Sequence, residues 1–138
     1  MSNRPMPKVN PVNQAFWAAC NEGVLKVQRC DNEGCRKYVF YPRVCCPYCG
    51  CNSLTWSEVS GQGKVITFTE VYRPQHESFR SEVPIWFVAV QLVEGPLLYS
   101  RLVNPPPQTA NIVGCPVRLE FSSAIEGQRL PYFRLLDR

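Results

Sequence analysis

The sequence predicts a mainly β chain in three parts: a short N-terminal helix, a small cysteine-bearing ribbon and a five-stranded barrel. Three observations carry this. Two cysteine pairs, Cys30/Cys35 and Cys46/Cys49, lie close together. From Lys64 onward, β-branched and aromatic residues form short runs broken by Gly and Pro, without helical periodicity. Near the N-terminus, Phe16, Trp17 and Cys20 make one apolar helical stripe.

Taken in order, residues 1–12 carry three prolines and read as a flexible or extended arm. Asn13 is a plausible N-cap for a helix running to about Glu22, and Gly23 stops it. So short a helix is marginal alone and must pack on something, either the chain's own barrel or a partner. Val24 to Gln28 and Tyr38 to Tyr41 read as strands that bracket the first cysteine pair. Leu54 to Val59 reads as the strand that closes the ribbon, so residues 13–59 form one unit. After the turn Ser60–Gly61–Gln62–Gly63, residues 60–138 form the second. Val65, Thr67, Thr69 and Val71 alternate with Ile66, Phe68, Glu70 and Tyr72 in its first strand. Ile85 to Val93 is apolar on both faces, as in a central strand covered on its outer side. Glu94–Gly95–Pro96 turns into Leu97 to Val103, which Asn104 and prolines 105–107 end. Val117 to Phe121 and Tyr132 to Leu136 complete five strands, the number of a small Greek-key barrel of the OB type.

The cysteines carry the clearest chemistry. A structural zinc takes four tetrahedral ligands and prefers thiolates, with two to four residues within each ligand pair. Cys46 and Cys49 have the short spacing of a knuckle, and Cys30 and Cys35 are separated by Asp31, Asn32, Glu33 and Gly34. Cys45 and Cys51 flank the second pair, and whether either replaces a ligand is open. Cys20 and Cys115 sit among apolar residues as small buried hydrophobes. A disulfide framework would require an oxidising compartment. Arg4 and Lys8 precede no apolar stretch of signal-peptide length, and Ile85 to Val90 is too short to span a bilayer. The expectation is therefore a cytoplasmic zinc protein with no membrane segment.

The formal charge is +4. Four thiolates on one Zn²⁺ contribute −2, leaving about +2. From Ser60 onward, eight Lys/Arg face seven Asp/Glu, and no basic run occurs. A single-stranded nucleic-acid module, with Tyr72 and Phe68 stacking on bases, is thus disfavoured. As an enzyme on its own the chain is poorly equipped. Its single histidine, His76, has only Glu77 as an adjacent carboxylate, and neighbours on an extended segment point apart. A four-thiolate zinc has no open position for water.

The motifs Phe16–Trp17, Gln28–Arg29–Cys30, Cys35, Tyr41–Pro42–Arg43, Cys46–Pro47–Tyr48–Cys49–Gly50 and Trp56 to Gly63 resemble, in this combination, a known family. It is the acyl-CoA-associated family of a rubredoxin-like zinc ribbon plus an OB fold, formerly domain of unknown function thirty-five. The likeness covers about residues 13–136, with four rather than two residues inside the first cysteine pair. It implies a non-catalytic accessory subunit of a thiolase-fold enzyme, meaning a thiolase, acyltransferase or aldolase acting on acyl-CoA thioesters. A hot-dog-fold hydratase is a possible second partner. The resemblance implies that zinc is held by Cys30, Cys35, Cys46 and Cys49, and that ribbon and helix grip the partner through Phe16 and Trp17. It also implies that the barrel helps form the CoA and acyl site, where Tyr72, Arg73, His76 and Phe79 are the candidate contacts. A stand-alone acyl-CoA binder is a further alternative.

Overall fold

The computed structural model describes residues 4–108 and 110–136. Helix α1 (Gln14–Asn21) buries Phe16, Ala19 and Cys20, the i, i+3, i+4 face expected of an amphipathic turn pair. Asn13 precedes it without capping it. Its Oδ1 accepts from the Asn10 N–H (2.8 Å) and its Nδ2 donates to Lys8 O (3.1 Å), so the side chain closes the preceding turn instead. At the other end Gly23, at φ +77°, lets the chain reverse while Val24 N–H bonds back to Ala19 O.

Three antiparallel strands form the ribbon: β1 (Lys26–Cys30), flanked by β2 (Tyr38–Val39) and β3 (Leu54–Glu58). The long first strand of the barrel is β4 (Gln62–Val71), followed by β5 (Ile85–Leu92), β6 (Leu97–Arg101), β7 (Pro116–Phe121) and β8 (Pro131–Leu135). Their order is β6-β5-β4-β7-β8, all antiparallel. The barrel closes where β6 meets β8. Leu102 bridges Phe133 in parallel, and Val103 N–H donates to Phe133 O (2.9 Å). Asn104 latches the same seam, donating to Leu135 O (2.9 Å) and accepting its N–H (2.7 Å). This is the five-stranded OB arrangement.

Two departures from the sequence pattern matter. A bulge between Val65 and Thr67 breaks the alternation of β4. Val65 faces the core, and the phase shift after it turns Phe68 inward, where it stacks on buried Trp86 (ring centroids 5.1 Å, 15°). Between β4 and β5 the chain forms a 3₁₀ helix (Glu77–Glu82) with His76 as its N-cap, an element the sequence pattern does not signal.

Ribbon and barrel share one core. Phe16, Cys20, Leu25 and Val27 pack in the same cluster as Val65, Trp86, Val88, Val117 and Phe133. The helix thus packs on the chain's own barrel. Polar ties reinforce this seat, with Gln128 Nε2 donating to Trp17 O (3.2 Å) and Arg129 N–H to Asn21 Oδ1 (2.8 Å). Burial pushes the Cys20 thiol up to about 12, so this residue is an inert hydrophobe.

Gly63 is the tightest point of the barrel. It pairs with Leu92 on one side and Val117 on the other. A Cβ there would lie 2.5 Å from Gln91 O and 2.8 Å from Val90 Cγ1. Because one obstacle is backbone, relief requires strand movement. Gly63→Ala is expected to destabilise the chain by about 1–3 kcal/mol. Urea unfolding reads this, and an unchanged midpoint would contradict the close approach.

Candidate metal centre and apolar groove

The first site is built by two turns. Cys30 ends β1, and Asn32 draws the next residues back by accepting the Cys35 and Arg36 N–H groups on its carbonyl (2.8 and 3.0 Å). That closed turn is how a pair with four intervening residues still converges. On the opposite lobe, Cys46 N–H donates to Cys51 O (2.8 Å) and Gly50 N–H to Cys46 O (2.9 Å), with Gly50 at φ +82°. A glycine is needed for that left-handed step.

These turns bring the sulfurs of Cys30, Cys35, Cys46 and Cys49 within 4.8 Å of one another. Cys35 and Cys46 are 3.8 Å apart and Cys30 and Cys49 3.5 Å. A tetrahedron with Zn–S bonds of about 2.3 Å has sulfur–sulfur edges of about 3.8 Å, so the four thiols fit a zinc ion. Their electrostatics divide. The Cys51 N–H, followed by the Asn32 side chain, lowers the Cys49 thiol to about 6, whereas burial pushes Cys30 up. Cys30 and Cys46 are buried, Cys35 is half-buried and Cys49 exposed. Cys45 is exposed and outside the cluster. Four thiolates would saturate the ion and leave it structural.

The second site is an apolar groove of about 550 Å³ where α1 and the Phe40–Pro42 segment meet β5, β6 and the start of β8. Gln28, buried in β1, sets one wall. It donates to Arg43 O (2.8 Å) and accepts the Arg43 N–H (2.7 Å), which anchors the end of that segment. Phe87 and Tyr99 form the floor, stacked across β5 and β6 with centroids 6.0 Å apart and planes within 5°. They are diagonal neighbours on the outer face of the sheet. Phe87, Tyr99 and Tyr41 are 43%, 64% and 63% exposed. So much uncovered aromatic surface in one depression makes it the candidate binding face. At one end Arg4 and Arg101 share Glu82 (2.7 and 3.1 Å), and Arg4 lies over the Phe79 ring at 4.5 Å.

The expected contact residues divide here. Trp17 and Phe79 line the groove. Phe16 lines it too, but only with its edge: it is 3% exposed, because its position on the buried stripe of α1 turns most of the ring into the core. His76 uses Nδ1 on Ser78, whose hydroxyl is 2.7 Å away and whose N–H it accepts, so it caps the 3₁₀ helix. Tyr72 is exposed and its hydroxyl is held between Glu70 (3.1 Å) and Gln108 (2.7 Å), and Arg73 is exposed. Neither lines the groove. Phe68, a candidate base-stacking platform, is partly buried against Trp86. The sequence reading missed Tyr41, Phe87 and Tyr99. The available signal was the strand apolar on both faces, whose outer side this chain leaves uncovered at Phe87. Among the described residues, no helix is long and apolar enough to cross a membrane.

Residues 17–50 match the family described as "ChsH2, rubredoxin-like zinc ribbon domain", and residues 56–122 "ChsH2, C-terminal OB-fold domain". A solved structure, "Ltp2-ChsH2(DUF35) aldolase", superposes with a TM-score of 0.82 at 32% identity, covering 94% of this chain and 98% of that one. The chain belongs to the ChsH2 (DUF35) family. A Thermomonospora curvata protein, "Probable enoyl-CoA hydratase alpha subunit", is 35% identical over 133 residues, 95% of this chain and 40% of its own length. A Pyrococcus furiosus "DUF35 domain-containing scaffold protein" is 35% identical over 80 residues, 58% of this chain and 56% of that protein. The ChsH2-type chain thus spans about half the length of these two relatives or less. A DUF35 structure from Sulfolobus solfataricus, at 13% identity and TM-score 0.63, shares the fold.

Proposed function

We propose that this chain is a non-catalytic subunit of an enzyme acting on acyl-CoA thioesters, and that its partner is a thiolase-fold protein. The observation that carries this reading is the aromatic groove of Trp17, Tyr41, Phe87 and Tyr99 beside a cysteine-braced ribbon. Its relatives' names point the same way: one is an aldolase containing an Ltp2 chain, one a hydratase subunit, one a scaffold. In this reading Cys30, Cys35, Cys46 and Cys49 hold a structural zinc, which fixes the ribbon and supplies no chemistry. Trp17 and the Phe87/Tyr99 pair take the partner's apolar surface, as aromatic anchors do at interfaces. Phe79, with Arg73, His76 and Tyr72 on the neighbouring rim, faces the CoA side, where guanidinium groups suit phosphate. The partner supplies the reacting groups for carbon–carbon cleavage, condensation or acyl transfer. This chain walls the acyl entrance and excludes water from it. A hot-dog-fold hydratase is a further subunit of the same assembly.

Gentle purification of the tagged chain from its native host tests this. The expected result is a near-stoichiometric thiolase-fold protein, with acyl-CoA activity in the complex and little in the chain alone. A chain that emerges alone, binds acyl-CoA by itself, or carries single-stranded nucleic acid would sink the reading.

A further inference from the structure

The thiol cluster holds more sulfur than a zinc ion uses. Cys51 Sγ lies 3.3 Å from Cys30 Sγ, slightly nearer than Cys49 Sγ at 3.5 Å. Both distances approach the edge of a zinc-thiolate tetrahedron, about 3.8 Å. Cys51 is therefore not a remote surface thiol but a fifth sulfur against the buried corner of the site. Its other contact is weak, an S–H donated to Ser53 O at 3.7 Å. Its backbone belongs to the knuckle itself, since its carbonyl accepts the Cys46 N–H and its N–H bonds to the Cys49 sulfur. Cys49 is the exposed corner of the four, whereas Cys51 is half-buried. Cys51, like Cys45, lies outside the set of four sulfurs that all fall within 4.8 Å of one another, but Cys51 is half-buried and reaches Cys30, whereas Cys45 is exposed.

We propose that Cys51 is a reserve zinc ligand that takes the corner of Cys49 when that thiolate is lost. The inference rests on the zinc reading of the ribbon. Exchange is a ligand substitution: the Cys51 thiol gives its proton to solvent as the thiolate binds, and a displaced Cys49 thiolate takes one up. Zinc keeps its charge and its four sulfurs. Two residues apart on one closed turn, the two sulfurs can trade places by side-chain rotation while the backbone bonds of the knuckle remain.

The test uses the full chain as wild type, Cys49→Ser, Cys51→Ser and the double variant, loaded with zinc or with cobalt as a spectroscopic substitute. Cys51→Ser is expected to keep one metal ion and the four-thiolate cobalt spectrum. Cys49→Ser is expected to keep both as well. The double variant should lose the metal or fall to a three-thiolate spectrum. A three-thiolate or metal-free Cys49→Ser alone would overturn the proposal, as would a three-thiolate Cys51→Ser, which would make Cys51 the resident ligand. Wild-type chain that takes up neither metal would overturn the zinc reading and this inference together. In case a variant fails to fold, a second measurement starts from folded, zinc-loaded wild type. Brief iodoacetamide treatment is followed by isolation of chains alkylated at Cys49 only. Retention of zinc in that fraction supports the reserve ligand, and its release argues against it.

Discussion

Cys46→Ala is expected to abolish zinc binding and unfold the ribbon. Cys46 is 2% exposed, and its backbone anchors the knuckle through Cys51 O and Gly50 N–H. The ribbon has little packing of its own: its separate cluster is Cys30, Val39 and Cys46, with Cys35, Cys51 and Leu54 around it. Half of that cluster is ligand sulfur, so metal binding is folding for these residues. Structural zinc contributes about 10–16 kcal/mol to comparable small modules at neutral pH. Stripping the metal with a chelator should act alike, and the effect should reach the barrel, because Leu25 and Val27 belong to its core. Far-UV circular dichroism and metal content, followed through a thermal melt with and without chelator, read both. Expected are a zinc-free variant, a lower melting temperature and loss of any partner from the complex. A Cys46→Ala chain that stays zinc-loaded and melts like wild type would overturn the structural role of the metal. Cys49→Ser is the informative contrast, because Cys51, like Cys49, has its sulfur against that of Cys30.

Replacing Trp17 and Tyr99 together by alanine is expected to separate this chain from the thiolase-fold partner proposed above while leaving it folded. Tyr99 is mostly exposed and Trp17 half-buried, so their removal opens no closed cavity in the core. Aromatic anchors at interface centres cost about 2 kcal/mol or more each when truncated. A pair near the centre of the groove is thus worth about 4 kcal/mol, roughly a thousandfold in Kd. Titration of the purified partner against wild type and the double variant measures this, with thermal melts of the isolated chain as the control. Equal affinity would place the partner elsewhere. A chain whose melting temperature also collapsed would show that the two rings brace the fold instead.

How much of this could be read without coordinates differs by feature, for physical reasons. Cysteine spacing reports a local constraint: a turn must aim two sulfurs at one point, and few spacings do so. The ribbon was legible for that reason, although the four residues between Cys30 and Cys35 had to be closed by Asn32. The five barrel strands were legible from β-branched runs and punctuation; four fall within two residues of their expected ends, and β4 begins at Gln62, three residues before Val65 and inside the expected turn. Less legible was anything that depends on phase. The bulge at Val65/Thr67 shifts which residues of β4 face inward beyond it, so Phe68 packs partly buried against the core. Phe16 and Trp17 are adjacent in sequence and both border the groove, and only the angle at which α1 seats on the barrel decides that Phe16 is almost wholly buried and Trp17 half-buried.

By itself, then, the sequence determined the three-part organisation, the sulfur set for a metal and the family to which the chain belongs. These follow from local spacing and periodicity. Tertiary structure alone decided that ribbon and barrel share one core, that Cys51 is a fifth sulfur at the metal site, and that Tyr41, Phe87 and Tyr99 meet Trp17 in one uncovered groove. Those residues lie far apart in the chain, and no local rule brings them together. Packing the helix and the ribbon against the sheet does so.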